Sequence, residues 1–158
     1  LGPSPFSSFS VTDSKRGPVQ AMPASSGQHV FLSGRFNNEA KVTKLRDIQR
    51  GIEAGGWAAF SVDAGPGTDF SVLTERGLCG MHTMVALVCE DYGEKTSSSS
   101  STYFEVGYAQ VYFKPIVALQ FCDEWPPTPP GATQQARQDA KARMRMAFIP
   151  GVVRIDAR

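Results

Sequence analysis

Thr83-Met84-Val85-Ala86-Leu87-Val88-Cys89 is an apolar run without polar alternation. A strand with one wet face alternates apolar and polar residues. A strand without that alternation is covered on both faces, as in a parallel sheet between helices. The run therefore predicts α/β layering, and its neighbours extend the pattern. Upstream, His29-Val30-Phe31-Leu32-Ser33 is a second short strand that exits through Ser33-Gly34-Arg35. Trp57-Ala58-Ala59-Phe60-Ser61-Val62 is a third, broken by Asp63-Ala64-Gly65-Pro66-Gly67. Downstream, Pro115-Ile116-Val117-Ala118-Leu119-Gln120-Phe121 is a fourth.

Between these runs the period becomes helical. Val42, Leu45, Ile48 and Ile52 are spaced for one helix face, behind Asn37 or Asn38 as cap, and Gly55-Gly56 stops that helix after Ala54. A second helix runs from Thr68 or Asp69 to Cys79 with Phe70, Leu73 and Leu78 inward, and a third from about Tyr103 to Tyr112. This alternation implies right-handed crossovers and a doubly wound parallel sheet of four or five strands with helices on both faces. Past the stiff connector Trp125-Pro126-Pro127-Thr128-Pro129-Pro130, a helix is expected over 133–148 and an edge strand over 152–155. Its stripe Ala136, Ala140, Met144 and Phe148 faces inward, while Arg137, Lys141 and Arg145 form a solvated face. Residues 1–28 contain seven Ser, four Pro and three Gly with no hydrophobic period, which reads as a linker or disordered arm before a single domain over 29–158.

Composition narrows the function classes. The chain has 158 residues, 16 Lys+Arg against 15 Asp+Glu and a net charge of +1, so no basic field points to nucleic acid. No apolar run reaches the roughly 18 residues of a membrane span, and a soluble protein is expected. Three scattered cysteines argue against a disulfide scaffold and for a reducing, cytoplasmic setting. Two histidines, neither beside a cysteine, give no ligand set for a metal.

Ligands of open α/β sheets bind beyond the carboxyl ends of the strands, near the point where strand order reverses. Ser33, Gly34, Arg35 and Phe36 fall there, as do Asp63, Glu90, Asp91 and Tyr92, with Asp123 and Glu124 after the fourth strand. Phe36, Trp57, Tyr92 and Tyr103 are aromatics able to cover a base, although Trp57 and Phe36 fit the core better. No dinucleotide-binding glycine fingerprint, phosphate-binding P-loop or nucleophile elbow is present. His29 and His82 sit at the wrong ends of their strands for catalysis and read as packing or surface residues.

Thr102-Tyr103-Phe104-Glu105 is the informative segment. Its spacing fits a capping box, in which Glu105 reaches back to the Thr102 amide. It equally fits a carboxylate in the first helical turn that faces the strand-end crevice, held ionised by the helix dipole and suited to a developing oxocarbenium ion.

Glu105-Val106-Gly107-Tyr108-Ala109, followed by Lys114-Pro115-Ile116-Val117, resembles the segment of nucleoside 2-deoxyribosyltransferases and related nucleotide N-glycosidases that carries their nucleophilic glutamate. The wider layout resembles TIR domains over about residues 29–122: Val30 to Ser33 as first strand, Phe60 to Phe70 as second strand and following loop, Val85 to Tyr92 as third strand and its exit. The resemblance implies a flavodoxin-like fold and N-glycosidic cleavage or ribosyl transfer on NAD or a nucleotide. Glu105 would be the catalytic residue. Ser33, Gly34, Arg35, Phe36, Asp63, Asp91, Tyr92 and Tyr103 would bind substrate, with Arg35 on a phosphate. NAD or the nucleotide would be substrate, and no separate cofactor is implied. Catalytic TIR domains carry Trp-x-x-x-Glu where this chain has Ser101 four residues before Glu105, which leaves NAD and a nucleotide both open. The alternative is a TIR-like signalling module that works by self-association into a homo-oligomer. Two further expectations concern order: that the arm 1–28 is mobile, and that the Ser-rich loop 90–101 is a mobile lid.

Overall fold

The computed structural model describes residues 28–62 and 70–158. Nearly all of the expected arm, Asp63 and the cap of the second helix lie outside the described residues. The elements alternate as β1 (His29–Ser33), α1 (Glu39–Ala54), β2 (Ala59–Ser61), α2 (Phe70–Gly80), β3 (Met81–Val88), α3 (Thr102–Val111), β4 (Ile116–Gln120), α4 (Gln134–Ala147) and β5 (Val153–Asp156). Every strand pairing is parallel, and the sheet order is β2-β1-β3-β4-β5. This is the flavodoxin-like form of the doubly wound fold, and its order reverses between β1 and β3.

Capping sets the helix starts that the sequence marks. The Asn38 side chain accepts from the Lys41 amide at 2.9 Å, and Thr133 accepts from Ala136 at 3.0 Å. The third strand begins earlier than its apolar pattern suggests, because α2 ends at Gly80 and β3 starts at Met81 with no connecting residue.

The sheet carries unequal covers. One face packs against α2, α3 and α4 through a large core that includes Phe31, Phe60, Met84, Val88, Val106 and Met144. Gly77 lets α2 lie close, since a β-carbon there would run into the Phe60 and Phe31 rings. The other face meets α1 alone through Leu32, Leu45 and Leu87. Register places Val153 beside Val117 and Ile155 beside Leu119 on that thinner side, and both β5 residues are exposed.

Several expected inward residues lie elsewhere. Phe70 opens α2 at the surface rather than in the core, while Leu78 is buried as expected. Trp57 is 64% exposed at the amino edge of the sheet, far from the strand ends that could hold a base. His29 is a packing residue: its ring lies against Phe60, and its Nε2 pairs with the Gly77 carbonyl at 2.8 Å. On α4, Ala140, Met144 and Phe148 are buried as the stripe predicts. No described helix is long and apolar enough to cross a membrane.

Candidate functional site

At the carboxyl ends of the strands, β1 finishes at Ser33 and α3 begins above it. Ser33 Oγ donates to Glu105 Oε2 at 2.5 Å, and the Tyr92 hydroxyl lies 2.7 Å from the same Oγ. Ser33 spends its single proton on Glu105, so Tyr92 is the donor to Ser33. These groups connect β1, the loop after β3 and the first turn of α3 across the place where strand order reverses.

The capping box does not form. Ser101, not Thr102, is the extended residue before α3, and its side chain makes no capping bond. The Thr102 hydroxyl instead accepts from the Gly93 amide at 2.9 Å, a tertiary contact that moves the helix start by one residue. Glu105 is thereby freed from capping and turned toward Ser33.

Nor is Glu105 held ionised. It is 4% exposed and, among the described residues, no cation pairs with it. Burial pushes its carboxyl up to about 8, against the smaller opposing effect of the Ser33 hydrogen bond. The dipole of α3 is too weak to offset that desolvation, and the resting group is the neutral acid at pH 7. Burial likewise drives the Tyr92 hydroxyl far above its ordinary range.

A cavity of about 200 Å³ opens over this carboxyl. Gly34, Arg35 and Phe36 line one side, and Ser98, Ser100 and Ser101 line the other. Arg35 is the one cationic lining residue among those described, and it is occupied. It donates to Glu94 at 2.7 Å, with Asp91 at 3.6 Å from its Nε. Asp91 also accepts from Lys41 at 2.8 Å and Asn37 at 2.7 Å. Burial pushes the Asp91 carboxyl up, but these hydrogen bonds and the charges of Lys41 and Arg35 outweigh it and hold the group below its usual range. Together they tie the loop after β1 to the loop after β3.

The structure thus sorts the expected site residues. Glu105, Gly34, Arg35 and Phe36 border one cavity, and Ser33 lies beneath it on Glu105. Tyr92 has no exposed surface and packs its ring on Phe148, so it reaches the site only through its hydroxyl. Tyr103 points toward α4, where the Arg143 guanidinium lies 3.9 Å from its ring centre. Asp91 serves the loop tie. Sequence reasoning passed over Ser101 as a polar contact, noting only that tryptophan was missing there. It also passed over Glu94, whose partner is 59 residues distant.

The expected lid is anchored over its first half. Tyr92 is buried, Gly93 is bonded to Thr102, Glu94 to Arg35, and Lys95 to Asp139 at 2.5 Å. Only Ser97, Ser98 and Ser99 stand exposed within 90–101 apart from Glu90. Among the described residues no cluster of His, Cys, Asp and Glu is arranged to hold a metal, and all three thiols are free.

No protein-family model matches the chain, and no curated protein matches it. Twelve chains of solved structures match. One is from the TIR domains of the activated Roq1 resistosome directly recognizing the pathogen effector XopQ, at 17% identity and a TM-score of 0.47. The match covers 59% of this chain and 57% of that one, so this chain spans little more than half of its length. No residue role, ligand or partner passes to this chain from that likeness, and its fold class rests on the all-parallel strand order itself.

Proposed function

We propose that this domain cleaves the N-glycosidic bond of NAD or a nucleotide, with Glu105 stabilising or capturing the ribosyl cation at the anomeric carbon. The observation that supports this reading is a carboxyl kept buried, without a cationic partner, under an open cavity at the switch point of the sheet. Such burial is costly, and among the described residues the Ser33 hydrogen bond offsets only part of it. A ligand that carries or develops positive charge beside the carboxyl would offset the rest. The enzyme whose Glu105 has lost its proton to solvent presents an anion where water is scarce, so its attraction for charge growing at the anomeric carbon is strong. The departing base takes the bonding electron pair, the oxygen of water or of an acceptor hydroxyl bonds the anomeric carbon, and its proton passes to the released base or to solvent. The test is to incubate the protein with NAD and with nucleoside monophosphates and measure free base. Release that is lost in Glu105→Gln supports the reading; no release from any of them sinks it.

A second reading, a non-catalytic module that self-associates, draws on the exposed Val153 and Ile155 beside the half-buried Val117 on the thinly covered sheet face. Sedimentation across a concentration series separates the two, since Val153→Lys should abolish assembly and leave base release untouched.

A further inference from the structure

The Ser101 hydroxyl is the one buried side-chain polar atom among the described residues that has no hydrogen-bond partner. Its residue is 8% exposed, lines the Glu105 cavity, and precedes a ten-residue helix without capping it. Serine at that place normally bonds to the amides of the first turn. Here the oxygen is buried without a partner, at a free-energy cost that alanine would avoid. An unmet group in a native site is explained when something else meets it.

The chemistry of that partner follows from the lining. Arg35 is already spent on Glu94 and Asp91, so the described lining offers partners to the neutral part of a nucleotide and not to its phosphate. The rest of the described polar lining is uncharged: serine and threonine residues, Ser101 among them, and Glu105 in its resting acid form. Ser101 immediately precedes α3 and Glu105 lies in its first turn, and both line the same cavity. A hydroxyl and a carboxyl so placed, each able to donate and accept, complement adjacent hydroxyls on one sugar ring.

We propose that Ser101 Oγ is a ligand contact which, with Glu105, holds the vicinal hydroxyls of a ribosyl group, so that the site takes ribo- in preference to 2′-deoxyribonucleotides. The proposal rests on the glycosidase reading for its substrate class, but a binding experiment tests it separately. A site built to bond a hydroxyl rejects the analogue lacking it, because its own polar groups are then left unpaired. The full chain is titrated calorimetrically with AMP and with dAMP. The wild type should bind AMP at least about tenfold more tightly. Ser101→Ala should bring AMP affinity down to the dAMP level while raising the melting temperature of the unliganded protein, since it removes a buried unmet group. Equal affinities in the wild type, binding of neither nucleotide, or a preference kept in Ser101→Ala would overturn the proposal. A lower melting temperature in that variant would do the same, because the hydroxyl would then serve the fold. An AMP preference without base release from any nucleotide sinks the glycosidase reading and leaves the sugar contact standing. Base release at equal kcat/KM from both does the opposite.

Discussion

Ser33 and Glu105 are 72 residues apart, yet 2.5 Å separates the hydroxyl of one from the carboxyl of the other. The contact joins the last residue of β1 to the first turn of α3, and through Tyr92 it continues into the core. Removing it with Ser33→Ala has two effects of different kinds. The Ser33 hydrogen bond holds the Glu105 carboxyl down, so its loss should move that group still higher. The Tyr92 hydroxyl also loses its partner inside the core, at about 1–3 kcal/mol. Chemical denaturation should show that loss of stability, and the rising limb of kcat/KM should shift to higher pH.

For the wild type, kcat/KM should rise with pH toward a plateau above about 8, the value to which burial pushes Glu105. The anion is the form that meets developing positive charge, and kcat/KM follows the ionisation of the free enzyme. A profile that falls across the same range would assign Glu105 as proton donor to the leaving base.

Glu105→Gln should cost at least about a thousandfold in base release, because several kcal/mol of charge stabilisation disappear at tenfold per 1.36 kcal/mol. Its stability should respond to pH in a characteristic way. The folded protein keeps a proton on Glu105 between the unfolded value of 4.5 and about 8, so wild-type stability is complete below 4.5 and falls as pH rises through that window. Glutamine carries no such penalty. The variant should match the wild type within about 1 kcal/mol at pH 4 and exceed it by on the order of 4 kcal/mol at pH 9, read from urea midpoints. Equal differences at both pH values would show that the carboxyl is not buried as described.

Gly93→Ala tests the anchoring of the loop over the site. Gly93 has φ +81, and a β-carbon there would collide with the fully buried Met144. The left-handed conformation costs a non-glycine residue roughly 1–2 kcal/mol, and displacing Met144 adds to it. A loss of about 2–4 kcal/mol is expected, together with weaker nucleotide binding, because the Gly93 amide also fixes Thr102 and the start of α3. Unchanged binding would mean that the loop and α3 are positioned independently.

The strand runs were legible because β3 and its neighbours are apolar without alternation, and the helices because their spacing and caps agree. The faces of α2 were less so: Phe70 fits an inward position by period but lies at the helix mouth, where no core reaches it. At α3, spacing places a hydroxyl residue before Glu105 but cannot decide between Ser101 and Thr102 as the first extended residue. The Gly93 amide decides it from outside the helix. The state of Glu105 was misjudged for a related reason, since a local dipole can be read from sequence and burial under a tertiary cavity cannot. Arg35 looks free in sequence because Glu94 and Asp91 approach it only when two loops meet. Tyr92 reads in sequence as an aromatic able to cover a base, and only packing against Phe148 makes it core.

The exposed edge strand β5 gives the molecule a graded resistance to opening. All four of its residues are solvent-exposed, and a single neighbour, β4, holds its backbone bonds. β1 and β3 are flanked on both sides, with Phe31, Met84 and Val88 fully buried. Backbone amides should therefore trade hydrogen for deuterium soonest at β5 and last in the central pair. Ser33 belongs to that central pair. The framework under Glu105 should thus outlast fraying of the carboxyl-terminal edge, and a protein already loosened there would still present its crevice intact.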